Sequence, residues 1–219
     1  MTYKLSPSSI NLILDCPRCF WSDKHNVWKR PVGIFPSLPS GMDRILKEHF
    51  DRFMKKGELP PELCYNDHCN GLKLFNNKEL LNVWRNNFKG ISWTDNKGNI
   101  LHWAVDNLLI NGKKLIILDY KTRGYPCKDD THEHYKLQLD IYNFLLRKNG
   151  YETEDYAFLL FYVPKEVLSN GQIVFDKNLI RMKVDVKNAE EMFKRAIDLL
   201  NSECPNEGCE LCNGKWKMS

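Results

Sequence analysis

The stretch LIILDYKTRG, residues 115–124, closes an apolar, β-prone run with Asp119 and Lys121 two positions apart. Residues i and i+2 of a strand project from the same face, so this carboxylate and ammonium share one side of a sheet while Tyr120 points to the other. Burying such a pair is costly in desolvation and is tolerated where the two charges pair, bind a metal or sit in a cleft. Asp106 lies upstream, across an Asn111-Gly112 turn signal that can fold it onto a neighbouring strand near Asp119. Two acids held close repel unless a cation sits between them, and hard divalent cations such as magnesium take oxygen ligands. A lysine beside them can steady a pentavalent phosphate or help activate a water, so the trio suits metal-assisted phosphodiester chemistry.

A second constellation is made of sulfur. Cys16 and Cys19 form C-x-x-C near one end of the chain, and Cys209 and Cys212 form another near the other end. If the two ends meet, four thiolates make a tetrahedral cage suited to zinc or to an iron-sulfur cluster. Cys204 is a further thiol in the same tail, whereas Cys64, Cys69 and Cys127 read as loop thiols.

These residues need elements to hold them. SPSSINLILDC reads as a capped first helix that delivers Cys16 at its end, followed by an irregular connection through Pro31, Gly33, Pro36 and Pro39. SGMDRILKEHFDRFMKKG has Ser40 as an N-cap, apolar Met42, Ile45, Leu46, Phe50 and Phe53 at helical spacing, and Gly57 as a stop. Residues 58–76 read as loop, and NKELLNVWRNNFKG as a helix ended by Gly90. The period then changes: ILHWAVDNLLI and KKLIILDYKT are two extended runs joined by an Asn-Gly hairpin, with Asp106 in the first strand and Asp119 and Lys121 in the second. HEHYKLQLDIYNFLLRKNG is helical, with Gln138 and Tyr142 four apart on one face. YAFLLFYV and QIVFDKNLIRMKVDV are extended, and a last helix opens on an Asn188 and Glu191 capping box before a cysteine-rich loop.

The bulk properties set limits. A chain of 219 residues, 42% hydrophobic, buries a substantial core without needing disorder. Its formal charge of +4 permits contact with a polyanion without demanding one. The start lacks the pattern of a signal peptide, and no run approaches the roughly 20 apolar residues of a membrane span. The expectation is a soluble, cytoplasmic protein whose eight cysteines are metal ligands or buried thiols.

Asp106 after a strand, LDYK as a D/E-x-K element, and Gln138 with Tyr142 as Q-x-x-x-Y resemble the PD-(D/E)XK nuclease superfamily. Within it, the chain is most similar to the RecB-like branch that includes the CRISPR-associated RecB-like exonucleases. SPSSINLILDCPRCF resembles the opening segment of that branch, and the cysteine-rich tail stands where those proteins carry theirs. The resemblance covers nearly the whole chain in motif order through short motifs. It implies an α/β, restriction-endonuclease-like core with a central mixed sheet flanked by helices. It further implies one nuclease domain over residues 1–219, in which residues 1–20 and 202–219 form a metal-cluster subregion joining the termini.

Carried over residue by residue, the resemblance implies that Asp106 and Asp119 bind the metal, Mg2+ or Mn2+, and that Lys121 is the catalytic lysine. Gln138 and Tyr142 would face the active site and help position DNA or the lysine. His49, in LKEHFD, would be a further metal ligand, with Glu48 beside it as the substitute in another register. Arg123, Lys128 and Lys136 are candidates for phosphate contacts. The branch also implies an iron-sulfur cluster, 4Fe-4S, held by one N-terminal and three C-terminal cysteines. The chain departs from that pattern by having Cys19 and by placing Cys204 ahead of the second C-x-x-C. The ligand set expected first is Cys16, Cys19, Cys209 and Cys212, with Cys204 in place of Cys19 as the second choice and Zn2+ as the alternative metal. The implied function is hydrolysis of DNA phosphodiester bonds, exonuclease-like, on single strands or free ends. The implied setting is repair, recombination or CRISPR-type processing alongside other DNA-processing proteins. The alternative is a non-catalytic nucleic-acid-binding or assembly protein that keeps the fold and a structural zinc or iron-sulfur site.

Overall fold

The structure is a computed structural model that describes residues 1–31, 33 and 37–216. It is a mixed α/β arrangement built on two sheets. The larger has the order β2 (Lys73–Leu74), β5 (Asn107–Asn111), β6 (Lys114–Thr122), β7 (Tyr156–Val167) and β8 (Ile173–Lys183). Only the β6/β7 pair in it is parallel, and the crossover between them carries helix α6 (Lys136–Lys148). The smaller sheet has the order β1 (Lys4–Leu5), β4 (Ile100–Trp103) and β3 (Ile91–Thr94).

Strand β6 is the centre of the molecule. Leu115 through Tyr120 are all buried, the pattern of a strand covered on both faces. Helix α3 (Ser37–Lys56) packs one face, where the Phe50 ring lies 4.8 Å from that of Tyr120, and α6 packs the other. Phe50, Ile141, Phe158, Phe161 and Phe193 are at most 2% exposed and belong to the continuous core between these layers. Burying each such side chain contributes about 1.5–3 kcal/mol.

Several local features differ from the sequence reading, each for a physical reason. Helix α3 begins at Ser37 rather than after Ser40, which puts Pro39 in its first turn, where a missing N–H leaves no bond unmade. The stretch read as irregular after Cys16 contains α2 (Pro17–Lys24), and Pro36 lies outside the described residues. Residues 58–76 contain the short helix α4 (Pro61–Cys64), a 3-10 turn and β2. Helix α5 (Lys78–Arg85) stops before Gly90, which instead enters β3 at φ +51°; a Cβ there would lie 2.4 Å from the Trp103 carbonyl oxygen.

The run ILHWAVDNLLI is not one strand. It breaks after Trp103 as the chain leaves the smaller sheet for the larger, so Asp106 sits on the bend rather than within a strand. The hairpin itself forms as its signal indicates. Gly112 is the first of two turn residues and takes φ +59°, as a II′ turn requires.

Helix α7 (Val186–Leu200) is capped by Asp185, whose carboxylate accepts from Lys187 and Asn188 N–H, and not by Asn188 with Glu191. The Asn188 amide donates instead to Asp140. The fully buried Asp140 carboxylate also takes the Asp185 N–H at 2.7 Å and the Lys136 ammonium at 2.5 Å, so it ties the start of α6 to the start of α7. The tail read as loop ends in α8 (Glu210–Trp216). Among the described residues, no helix is long and apolar enough to cross a membrane. Asp140→Ala leaves three donors without their acceptor, and the expected loss is about 3 kcal/mol of unfolding free energy, read by denaturant titration.

Candidate active site

The break after β4 places Asp106 well. Asn107 pairs with Leu118, so one step back along the same register sets Asp106 opposite Asp119. The bend is pinned from outside: Arg85, at the end of α5, donates to the Asp106 carbonyl at 2.7 Å and to Asp51 of α3 at 2.7 Å. The Tyr120 N–H donates to Asp106 Oδ2 at 3.2 Å. Asp119 and Lys121 do share a face, with Lys121 Nζ 2.5 Å from Asp119 Oδ2 and 5.0 Å from the centre of the Tyr135 ring. From α6, Gln138 Nε2 donates to Asp119 Oδ1 at 3.0 Å and to the Tyr142 hydroxyl at 2.5 Å. Gln138 therefore orients the carboxylate, and the buried Tyr142 backs Gln138.

Asp106, Asp119, Lys121, Gln138 and Tyr142 line one polar cavity of about 310 Å³. Asp43, Lys47, Arg85, Asn87, Trp103 and Ala104 complete its walls. The sequence reading gave neither Asp43 nor Lys47 a part. In the structure Lys47 Nζ lies 2.8 Å from Asp43 Oδ2 and 3.3 Å from Asp106 Oδ1, bridging the two acids. The signal was available as Asp43, Lys47 and Asp51 at four-residue spacing, one charged stripe along α3.

The structure does not bring His49 to this group. Two residues beyond Lys47 is about 200° around the helix, so His49 leaves on another face. It lies 3.2 Å from Glu62 and packs edge-on against Phe50 and Phe53. Glu48 is exposed and pairs with Arg44 at 3.2 Å. Of the residues suggested for phosphate contacts, Lys136 is engaged with Asp140, and neither Arg123 nor Lys128 lines the cavity.

The cavity's charge is short of cations. Three carboxylates face two lysines, since Arg85 and Asp51 offset one another. Burial pushes the Asp119 carboxyl up to about 7, Lys121 pulling against that and Asp106 adding to it. Burial, with Asp106 beside it, likewise raises Asp43. Burial draws the Lys121 ammonium down, but Asp119 and then Asp106 outweigh it and leave Lys121 above its ordinary value. Asp119 Oδ2 is enclosed, and among the described residues Lys121 is the donor that reaches it. An acid-rich cleft with such an oxygen fits a hard divalent cation, and Asp43, Asp106 and Asp119 are the residues that could hold one.

Away from the cavity, the two ends of the chain meet as expected. The sulfurs of Cys16, Cys19, Cys209 and Cys212 all lie within 4.8 Å of one another, so this group could bind a metal. Cys204 is not among them; its thiol faces the Pro205 carbonyl at 3.8 Å.

The larger sheet is mixed, and its central strand carries an acid and a lysine on one face, with a second acid on the preceding bend and a glutamine on the crossover helix. A family model described as the PD-(D/E)XK nuclease superfamily matches residues 43–216, and the chain belongs to that superfamily. None of the curated proteins compared with the chain matches it. Members of the superfamily are typically hydrolases of nucleic acid that use divalent metals.

The Asp119 shift has a sign that can be checked in the metal-free protein. Its folded value lies above the usual carboxylate value, so the folded chain holds a proton that the unfolded chain has already released. The associated stability is complete below about pH 4 and is lost as pH rises through about 7, opposite to the usual carboxylate trend. Thermal melts of the chelator-treated protein should show this fall between pH 4 and 7, and Asp119→Asn should flatten it.

Proposed function

We propose that the cavity is the active centre of a divalent-metal-dependent deoxyribonuclease. The observation that carries the reading is that Asp43, Asp106 and Asp119 line one cavity, with Lys121 held against the enclosed Asp119 Oδ2. The chemistry supplied by Mg2+ or Mn2+ bound there is polarisation of a phosphoryl oxygen and a lowered pKa for an attacking water.

The chain's own residues do the rest. Asp106 and Asp119 would hold the cation, and Asp43 would add a carboxylate from α3. Gln138 fixes the plane of Asp119, and Tyr142 fixes Gln138. Lys121 keeps its proton and places positive charge where negative charge accumulates on the phosphate. Lys47 bridges Asp43 and Asp106 and keeps the two acids from repelling apart.

The finer parts of the reading rest on the motif order. Asp106, then Asp119-x-Lys121, then Gln138 and Tyr142 support a RecB-like affiliation, with DNA as substrate and exonuclease-like action. A single strand or a free end is the substrate form that goes with such an affiliation. Repair, recombination or CRISPR-type processing are the settings consistent with such an activity, with residues 1–219 acting as one nuclease domain.

The test is cleavage of end-labelled single- and double-stranded DNA with Mg2+ or Mn2+. Asp119→Ala and Lys121→Ala should each lower the rate by at least about 100-fold. Asp43→Ala should raise the metal concentration needed for half-maximal cleavage more than His49→Ala does. Binding of DNA with no cleavage under any metal would replace this reading with a non-catalytic, nucleic-acid-binding role.

A further inference from the structure

The four clustered cysteines take no part in the cavity, and their geometry speaks to what they hold. Cys19 and Cys209 sulfurs are 3.5 Å apart, and Cys16 to Cys212 and Cys209 to Cys212 are both 3.9 Å. With every pair within 4.8 Å, the four fit inside a sphere of radius about 2.9 Å, close to a single metal–sulfur bond length of about 2.3 Å. A tetrahedron of sulfurs around one such ion has edges of about 3.8 Å, close to the 3.5, 3.9 and 3.9 Å of the three shorter pairs. In a four-iron cluster each cysteine binds a different iron, and irons and sulfides fill the space between the thiolates. The space between these cysteines suits one atom and leaves no room for eight. The 4Fe-4S cluster expected from the family resemblance does not fit this group.

We propose that Cys16, Cys19, Cys209 and Cys212 form a closed, mononuclear tetrathiolate site that binds zinc. Zinc suits four thiolates in a tetrahedron, and a complete protein ligand set leaves no position open for chemistry, so the site is structural. The surrounding residues are arranged for it. The Cys209 N–H donates to Cys16 Sγ at 3.4 Å. Arg30 places Nη2 3.8 Å from Cys209 Sγ while Nη1 holds Asp15 at 3.1 Å, setting a cation beside a centre whose four thiolates and one divalent ion carry a net charge of −2. Gly208 lets the loop pass close: a Cβ there would lie 2.5 Å from Cys212 Sγ.

The local fold explains how the ligands converge. Cys16 precedes Pro17, a position that disfavours helical backbone, and takes φ −165° and ψ 107°. The chain therefore breaks between α1 (Pro7–Asp15) and α2, with Cys16 at the corner and Cys19 in the first turn of α2. The second pair brackets the start of α8. Zinc would dock α8 onto that corner.

The test uses the full chain, expressed with both iron and zinc supplied and purified without oxygen. Elemental analysis, labile-sulfide assay and the visible spectrum are then read together. The expected result is one zinc per chain, no labile sulfide and no visible absorption. Cobalt exchanged into the site should show the spectrum of tetrahedral tetrathiolate cobalt, which reports the ligand set even if cysteine variants do not fold. Cys204→Ser and Asp119→Asn should each keep the zinc, whereas Cys19→Ser should lose it. About four irons with matching sulfide, a single iron, no stoichiometric metal, or a requirement for Cys204 would each overturn the proposal. None of these outcomes bears on cleavage at the carboxylate cavity.

Discussion

Everything at the candidate site depends on one unfavourable act, the burial of the Asp119 carboxylate. It lies 2% exposed on a strand covered from both sides, opposite a second acid, with a single lysine for direct charge compensation. A lone ion in such a place would be neutralised. Here burial and Asp106 push towards protonation, Lys121 pulls towards ionisation, and the balance falls near neutral pH. A group poised in this way would release its proton to solvent as a divalent cation took the proton's place, so that metal binding and deprotonation would be coupled.

The fold keeps this arrangement in place through contacts that belong to the backbone. Helix α3 covers the Tyr120 face of β6 through Phe50 and, nearer its start, turns Asp43 and Lys47 towards Asp106. Helix α5 holds the bend at Asp106 by its carbonyl, leaving both carboxylate oxygens for other partners. Helix α6 supplies Gln138, and its own start is fixed by Asp140 to the cap of α7. The acids thus come from a helix, a bend and a strand, each held by a different layer. No single loop movement can disperse them.

Much of this was legible in the sequence, for identifiable reasons. Asp119 and Lys121 could be placed on one face because a strand's period of two admits no other arrangement, and the Asn-Gly signal located the hairpin. Gln138 and Tyr142 were found through helical spacing and family resemblance. Asp106 was placed in a strand because ILHWAVDNLLI is mostly apolar with no turn signal of its own; nothing local announces that the chain changes sheets at Ala104. Asp43 was missed because a charged stripe on an amphipathic helix looks the same whether it faces water or a cleft, and His49 was favoured on the family resemblance alone. Which face matters is decided by Phe50 and Tyr120, a contact between distant parts of the chain. Likewise, paired C-x-x-C spacing identified the four clustered thiols, while their mutual distances lay beyond any reading of spacing.

The two metal-capable groups divide the labour of the chain: the sulfurs join its ends, and the carboxylates face the cavity. The central claim is that the three acids form a cation site whose occupancy is governed by the protonation of Asp119. Equilibrium titration of the chelator-treated protein with Mn2+, followed by electron paramagnetic resonance from pH 5 to pH 8, tests it most directly. Affinity should rise with pH through about 7 and be lost in Asp119→Asn. Equal Mn2+ binding by the parent and Asp119→Asn at every pH would contradict the account.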